Sequence, residues 1–150
     1  MADNRAEQIM DAFTTLVTGL TTTGSNVERD RAYAFDDSIN YALAVYQGDD
    51  TPFDRTDQNW FNINHDLEVS IVIHARLASS TPISQTLNLI RKEITAAVLA
   101  DYTLGLSFVI DTVEGNSLKP VIDIGGEKPI AIQTFNWLVK YERSRTDPSA

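Results

Sequence analysis

The sequence predicts an α+β fold in which a mostly antiparallel sheet packs against two amphipathic helices as a two-layer sandwich. Two segments repeat apolar residues at helical spacing, while the segments between and after them alternate apolar and polar residues as strands do. The chain has 150 residues, of which 43% are hydrophobic and 22% are charged. This length suits one core, so we expect a single domain over residues 1–150, with a flexible tail at 145–150.

The first predicted helix is marked by an apolar stripe that recurs at helical spacing over residues 9–20. A capping signal precedes the stripe, because Asn4 is followed three residues later by Glu7, although Asp3 is an alternative cap. Two glycines with a threonine run between them predict the end of this helix.

The following segments predict strands separated by a long loop. Residues 27–35 alternate loosely and residues 41–47 are rich in apolar and aromatic groups, so both are predicted as strands. Residues 49–64 combine turn formers with mixed charge and no clean period, which predicts a long loop with a short extended arm as an alternative. Residues 66–77 alternate most cleanly, with one apolar face and one polar face that includes His74.

The second predicted helix begins after a proline and is followed by the closing strands. Thr81 is predicted as the N-cap with proline at the first helical position, and apolar residues recur at helical spacing to about Ala100. A strand from residue 106, a shorter extended piece at 121–124 and a long strand from Ile130 complete the chain. No pattern predicts parallel crossovers through helices.

Both faces of the last predicted strand carry apolar residues. Alternate residues from Ile130 to Leu138 form one face, and those from Ala131 to Tyr141 form the other. The strand is therefore either central and covered on both faces, or it passes from the core to a subunit contact. An irregularity at residues 134–136 that switches the inward face is a third interpretation.

Composition excludes several classes of function. Acidic residues number 21 against 12 basic ones, and the net charge of -9 opposes attraction to nucleic-acid phosphates. Cysteine is absent, which excludes disulfides, thiolate nucleophiles and cysteine metal ligands. No apolar run approaches the roughly 18 residues that a membrane span needs, so we expect no membrane partner.

The sequence predicts no catalytic residue, no metal site and no cofactor, because no phosphate-binding, dinucleotide, nucleophile-elbow or zinc-helix motif occurs. The only histidines, His65 and His74, are in principle metal ligands or an acid–base set together with Asp66. His74 falls on the polar face of its predicted strand and His65 at a loop end, so we favour surface or structural roles for both.

The predicted loop also concentrates acidic and aromatic residues. Its four aspartates, at positions 49, 50, 54 and 57, suggest a weak divalent site, but they miss the pattern of an EF-hand loop, and a solvated acidic loop is favoured. Large aromatic groups at Phe53, Trp60 and Phe61 must either fold back onto the core or meet another chain. On the second helix we interpret Arg91 and Lys92 as a solvated face.

The order of these elements and several local patterns resemble the tail terminator family of long-tailed bacteriophages. The patterns are the helix EQIMDAFTTLVTGL with its TTG exit, the strand YALAVYQGDD, the strand LEVSIVIHARL before a long helix, and the closing GEKPIAIQTFNWLVKYERS. Together they span residues 5–144.

This resemblance implies a structural virion protein that caps the phage tail tube as a hexameric ring, ends polymerisation and provides the surface for the head connector. Its partners would be further copies of itself, the major tail tube protein and the head–tail connector proteins, with DNA passing through the ring without specific binding. Its place would be the head-proximal end of the virion tail, after assembly in the host cytoplasm. The alternatives are a neck or head-completion protein of the same particle, or a small ligand-binding or enzymatic domain.

The family has no active site to transfer to this chain, so the resemblance implies interface residues only. By position, contacts with neighbours and partners are expected in the predicted loop and in the turn before the last strand. These residues are Asp49, Asp50, Phe53, Arg55, Trp60, Phe61, Gly126, Glu127 and Lys128.

Overall fold

A computed structural model describes residues 3–32, 35–36, 38–53, 61–77, 81–124 and 129–150. It confirms the predicted α+β sandwich, with two helices on one face of a six-stranded sheet. In chain order the elements are α1 (Arg5–Leu16), β1 (Val27–Arg29), β2 (Tyr41–Phe53), β3 (Asn62–Arg76), α2 (Ile83–Ala100), β4 (Val109–Ser117), β5 (Val121–Asp123) and β6 (Ile130–Ser144).

The sheet is built around the pairing of β3 with β6. These two 15-residue strands run antiparallel along their whole length, from Asn62 opposite Ser144 to Arg76 opposite Ile130. The strand order is β1-β2-β3-β6-β4, and β5 pairs with β6 as well. All described pairings are antiparallel except that of β1 with β2.

The hydrophobic core lies between the helices and one face of this sheet, which we call the helix-covered face. It carries alternate residues of β3 and β6, and its largest side chain, Trp137, is fully buried. Phe13 of α1 and Phe135 pack against Trp137, with ring centroids 6.3 and 5.2 Å away. Burying a large apolar side chain contributes about 1.5–3 kcal/mol, so this layer holds the sandwich together.

The opposite side, which we call the open face, has no helix over it within the described residues. In the described part of the chain one end of this face is covered, where Phe35 from the β1–β2 connection packs on Ala42 and Ala44, with Tyr46 and Val72 beside them. The remaining open-face side chains of β3 and β6 are half-buried.

The strand predictions for the first half of the chain were partly wrong. Of the described residues in the strand expected at 27–35, only Val27–Arg29 form a strand, which is β1. β2 continues to Phe53 and β3 begins at Asn62, so both ends of the predicted 49–64 loop are strand. A bulge between Gln47 and Asp50 accommodates the turn-forming residues. Pairing with β3 thus overrides the weak local strand propensity.

The helix starts match the sequence in one case and differ in the other. The Asn4 side chain accepts a hydrogen bond from the Glu7 backbone N–H at 2.8 Å, which confirms the predicted cap. The cap predicted at Thr81 is wrong, because Pro82 takes the N-cap position with an extended ψ of 132° and the helix begins at Ile83. Neither described helix is long and apolar enough to cross a membrane.

The last strand keeps one inward face throughout, so the predicted irregularity at residues 134–136 is wrong for β6. Its partner β4 carries the irregularity instead, as a register shift between Glu114 and Ser117 opposite this part of β6. β6 is central, as one interpretation required, but only its helix-covered face is fully buried.

Candidate functional site

A polar network joins three strands at one end of β6. Direct pairing in the ladders brings Asp50 beside Leu67 and His65 beside Tyr141, so these side chains share the helix-covered face. His65 Nδ1 lies 2.8 Å from Asp50 Oδ1, and the Tyr141 hydroxyl donates to Asp50 Oδ2 at 2.6 Å. Arg143 Nε donates to His65 Nε2 at 2.9 Å.

The network satisfies its own hydrogen bonds. Because His65 Nε2 accepts from Arg143, Nδ1 carries the proton that is donated to Asp50, and the ring is assigned as neutral. Burial, reinforced by the bond to Asp50, raises the pKa of Tyr141, so its hydroxyl stays a donor. Both ring nitrogens of His65 are hydrogen-bonded within the chain. These bonds tie β2 to β3 and β6 near the β2–β3 connection.

The two histidines lie far apart and on opposite faces. His65 is buried inside β3, so its expected place at a loop end was wrong. His74 lies nine residues further along β3, about 30 Å away at strand spacing, on the open face beside Phe35. Asp66 also faces the open side and pairs with Lys140 at 3.7 Å. The geometry therefore does not assemble the histidine–aspartate set that the sequence suggested.

His74 is held in a different environment from His65. Its ring meets the Phe35 ring edge-on with centroids 5.0 Å apart. Burial and then the charges of Arg31 and Arg76 lower the pKa of His74. Within the described residues, no group of three or more histidine, aspartate or glutamate side chains is arranged to hold a metal ion.

The structure reaches only part of the interface predicted from the sequence. Asp49 is exposed on β2, and Asp50 belongs to the polar network. The backbone of Phe53 pairs with Asn64, and exposed Phe61 accepts a backbone hydrogen bond from Arg145 at 2.7 Å. The remaining predictions fall outside the described residues: the Phe53 side chain, Asp54, Arg55, Asp57, Trp60, Gly126, Glu127 and Lys128.

An exposed apolar surface lies at the other end of β6. We call residues 118–124 the apolar edge segment, because four aliphatic side chains in seven residues face solvent there. Within the described residues, β5 in this segment pairs with β6 alone. The exposed fractions are 52% for Leu118, 64% for Val121, 50% for Ile122 and 75% for Ile124.

The start of this segment is fixed to the sheet by a buried glutamine. Gln133 Nε2 donates to the Leu118 carbonyl at 3.0 Å and lies 3.2 Å from the Ser117 hydroxyl. The Leu118 backbone N–H in turn donates to the Thr134 carbonyl at 2.9 Å. The aliphatic side chains are thus presented from a hydrogen-bonded backbone.

Sequence reasoning missed both the polar network and the apolar edge segment. Tyr141 and Arg143 sit two residues apart on β6, but only the β3–β6 register reveals that they flank His65. The edge segment did leave a signal, since a three-residue strand cannot bury neighbouring aliphatic residues on both of its faces. That signal points to the stretch immediately before the predicted interface turn.

The comparisons with known proteins add no family to these observations. No protein-family model matches the chain. No curated protein gives a significant match either.

Proposed function

We propose that this chain is a structural assembly subunit that closes into a ring on the head-proximal end of a phage tail tube, as a tail terminator. The observation that carries the proposal is the apolar edge segment, whose aliphatic side chains are exposed on an edge strand. The assignment to a phage tail, and to the head-proximal end of its tube, comes from the sequence resemblance.

An exposed apolar edge strand favours association for two physical reasons. Aliphatic surface gains free energy when it leaves water, at about 25 cal/mol per Å². An edge strand also offers backbone N–H and C=O groups to a further strand, and monomeric proteins avoid combining these two features. Residues 118–124 combine them shortly before Gly126–Lys128, the predicted turn at which the resemblance implies a contact.

Charge supports a ring through which DNA slides. The chain carries a net charge of -9, so a ring of copies would repel a passing phosphate backbone unless a local basic patch lined it.

The role requires recognition rather than chemistry. The resemblance implies that the proposed ring has six copies and lies between the tube protein and the head connector. The polar network around His65 contributes by holding the β2–β3 hairpin rigid, which preserves the shape of the surfaces that partners meet.

Electron microscopy of purified tail tubes incubated with this chain tests the proposal. We expect a ring at one end of each tube and no further growth when free tube protein is added. Tubes that stay uncapped and continue to grow at saturating concentrations of the chain would contradict a terminator role. A ring bound to head connectors but never to tubes would instead favour the neck-protein alternative.

A further inference from the structure

The outer surface of α2 carries positive charge that the chain itself does not neutralise. Lys92 is exposed and makes no ion pair within the described residues, whereas Arg29, Arg31 and Lys140 all do. Arg91 beside it packs its guanidinium over the Phe135 ring at 5.0 Å, and its buried Nε has no hydrogen-bond partner in the described part of the chain.

This surface also has the shape and apolar content of a contact region. Arg91 and Lys92 line an open cavity of about 420 Å³ together with Asn88, Thr95 and Ala96. Leu89 and Leu99 of the same helix are about half exposed. The predicted solvated face is therefore correct for Lys92 but wrong for Arg91, which packs on the core ring of Phe135. The surface around Lys92 is cationic, with aliphatic side chains nearby.

A complementary acidic cavity lies at the β4 edge of the sheet, where Glu68 of the open face comes near the edge strand that carries Glu114. It measures about 250 Å³ and is lined by Glu68 and Glu114, with Asn136 and Leu138 among the other lining residues. Neither glutamate forms an ion pair within the described residues. Gly115 allows β4 to approach β6 closely beside this cavity, because a Cβ there would lie 3.0 Å from the Asn136 carbonyl oxygen.

Charge decides how copies of this chain can meet. With a net charge of -9, two copies repel each other, and a contact that sets a cation against carboxylates offsets this repulsion. Lys92 on the helix layer and the Glu68–Glu114 cavity at the β4 edge form such a pair. Because these are two different surfaces, the contact is heterologous and repeats from copy to copy, as a ring requires.

We propose that the α2 surface around Lys92 docks on the Glu68–Glu114 cavity of the next copy. The inference rests on the proposed function only in requiring that copies associate. In the contact, the Lys92 ammonium lies against the two carboxylates, while Leu138 and Leu89 contribute apolar area around the ion pair.

Sedimentation of the full chain with exchanged charges tests this contact. We expect Lys92→Glu and Glu114→Lys each to weaken self-association by about tenfold or more, because each sets like charges together. The double variant carrying both changes should restore association to within about threefold of the original chain. The control Gln47→Glu with Ser107→Glu lowers the net charge by as much as Lys92→Glu does, but at two exposed positions outside the contact, and should leave association near its original strength.

The outcomes separate this contact from the proposed function. A double variant as weak as the single variants would overturn the contact, and so would a chain that stays monomeric at the highest soluble concentration. Equal weakening by the control would also overturn it, by showing a dependence on net charge alone. If the double variant is rescued in solution but no ring forms on tail tubes, the contact stands and the terminator role fails.

Discussion

The two ends of β6 differ in whether the side chains around them find partners inside the subunit. At one end Tyr141 and Arg143 complete hydrogen bonds with Asp50 and His65 inside the subunit. At the other end β6 runs beside β5, whose aliphatic side chains remain in solvent. The end whose polar side chains bond one another is closed on itself, and the end that exposes aliphatic side chains is the one left open to a partner.

The difference follows from the costs of burial and exposure. A buried imidazole and phenol and a partly exposed carboxylate cost several kcal/mol in total unless each finds a partner, so the fold supplies all the partners at once. Exposed aliphatic groups cost a monomer less than orphaned buried polar groups, and that cost is recovered when a partner covers them. We therefore expect substitutions at the polar end to change stability and substitutions at the apolar end to change assembly.

The largest change in stability is expected from Asp50→Ala. Removing the carboxylate leaves the His65 Nδ1–H and the Tyr141 hydroxyl without acceptors, which should lower the free energy of unfolding by about 2–3 kcal/mol. Urea unfolding followed by circular dichroism measures this change. A loss below about 0.5 kcal/mol would mean that the network does not hold β2, β3 and β6 together.

A smaller loss is expected from Tyr141→Phe, which deletes one hydrogen bond and keeps the ring. The hydroxyl donates to a carboxylate, so its loss should lower the free energy of unfolding by about 1–2 kcal/mol. Tyr102→Phe is the matched control, because Tyr102 is about half exposed and its hydroxyl makes no hydrogen bond among the described contacts. Equal losses in both variants would contradict a specific role for the Tyr141 hydroxyl.

On the open face, apart from both ends of this comparison, His74 gives stability a dependence on pH. The folded chain holds the pKa of His74 below its ordinary value of 6.5, chiefly through burial, so the unfolded chain binds more protons below that pH. The free energy of unfolding should therefore fall as pH falls from about 7 to about 5. His74→Gln should flatten this slope, and an unchanged slope would show that His74 does not contribute.

Sequence reasoning succeeded where a single element carries its own periodicity. The apolar stripes of α1 and α2 and the alternation around Val69 and Ile71 are local signals, and all three elements were predicted. The continuation of β2 through Gly48 and Asp49 was not, because a bulge paired with β3 turns poor strand formers into strand. Pairing with β3 decides that these residues form a strand, and local propensity does not reveal that pairing.

The candidate sites show the same limit. His65 seemed to lie at a loop end because its partners, Asp50 and Arg143, are distant in sequence and meet it only through the sheet register. The neighbouring aliphatic residues at 121 and 122 indicate that this stretch leaves one side uncovered, but only the topology shows that it lies at the sheet edge with both residues exposed.

The most direct test of the account is the ability of Ile124→Glu to cap tail tubes, judged by electron microscopy beside an equal amount of Ile110→Glu. Both isoleucines are exposed, at 75% and 51%, and both changes add one negative charge, so the stability of each variant should stay within about 0.5 kcal/mol of the original. We predict that Ile124→Glu loses ring formation at tube ends while Ile110→Glu keeps it. Full capping by Ile124→Glu would contradict the claim that the apolar edge segment is an assembly surface.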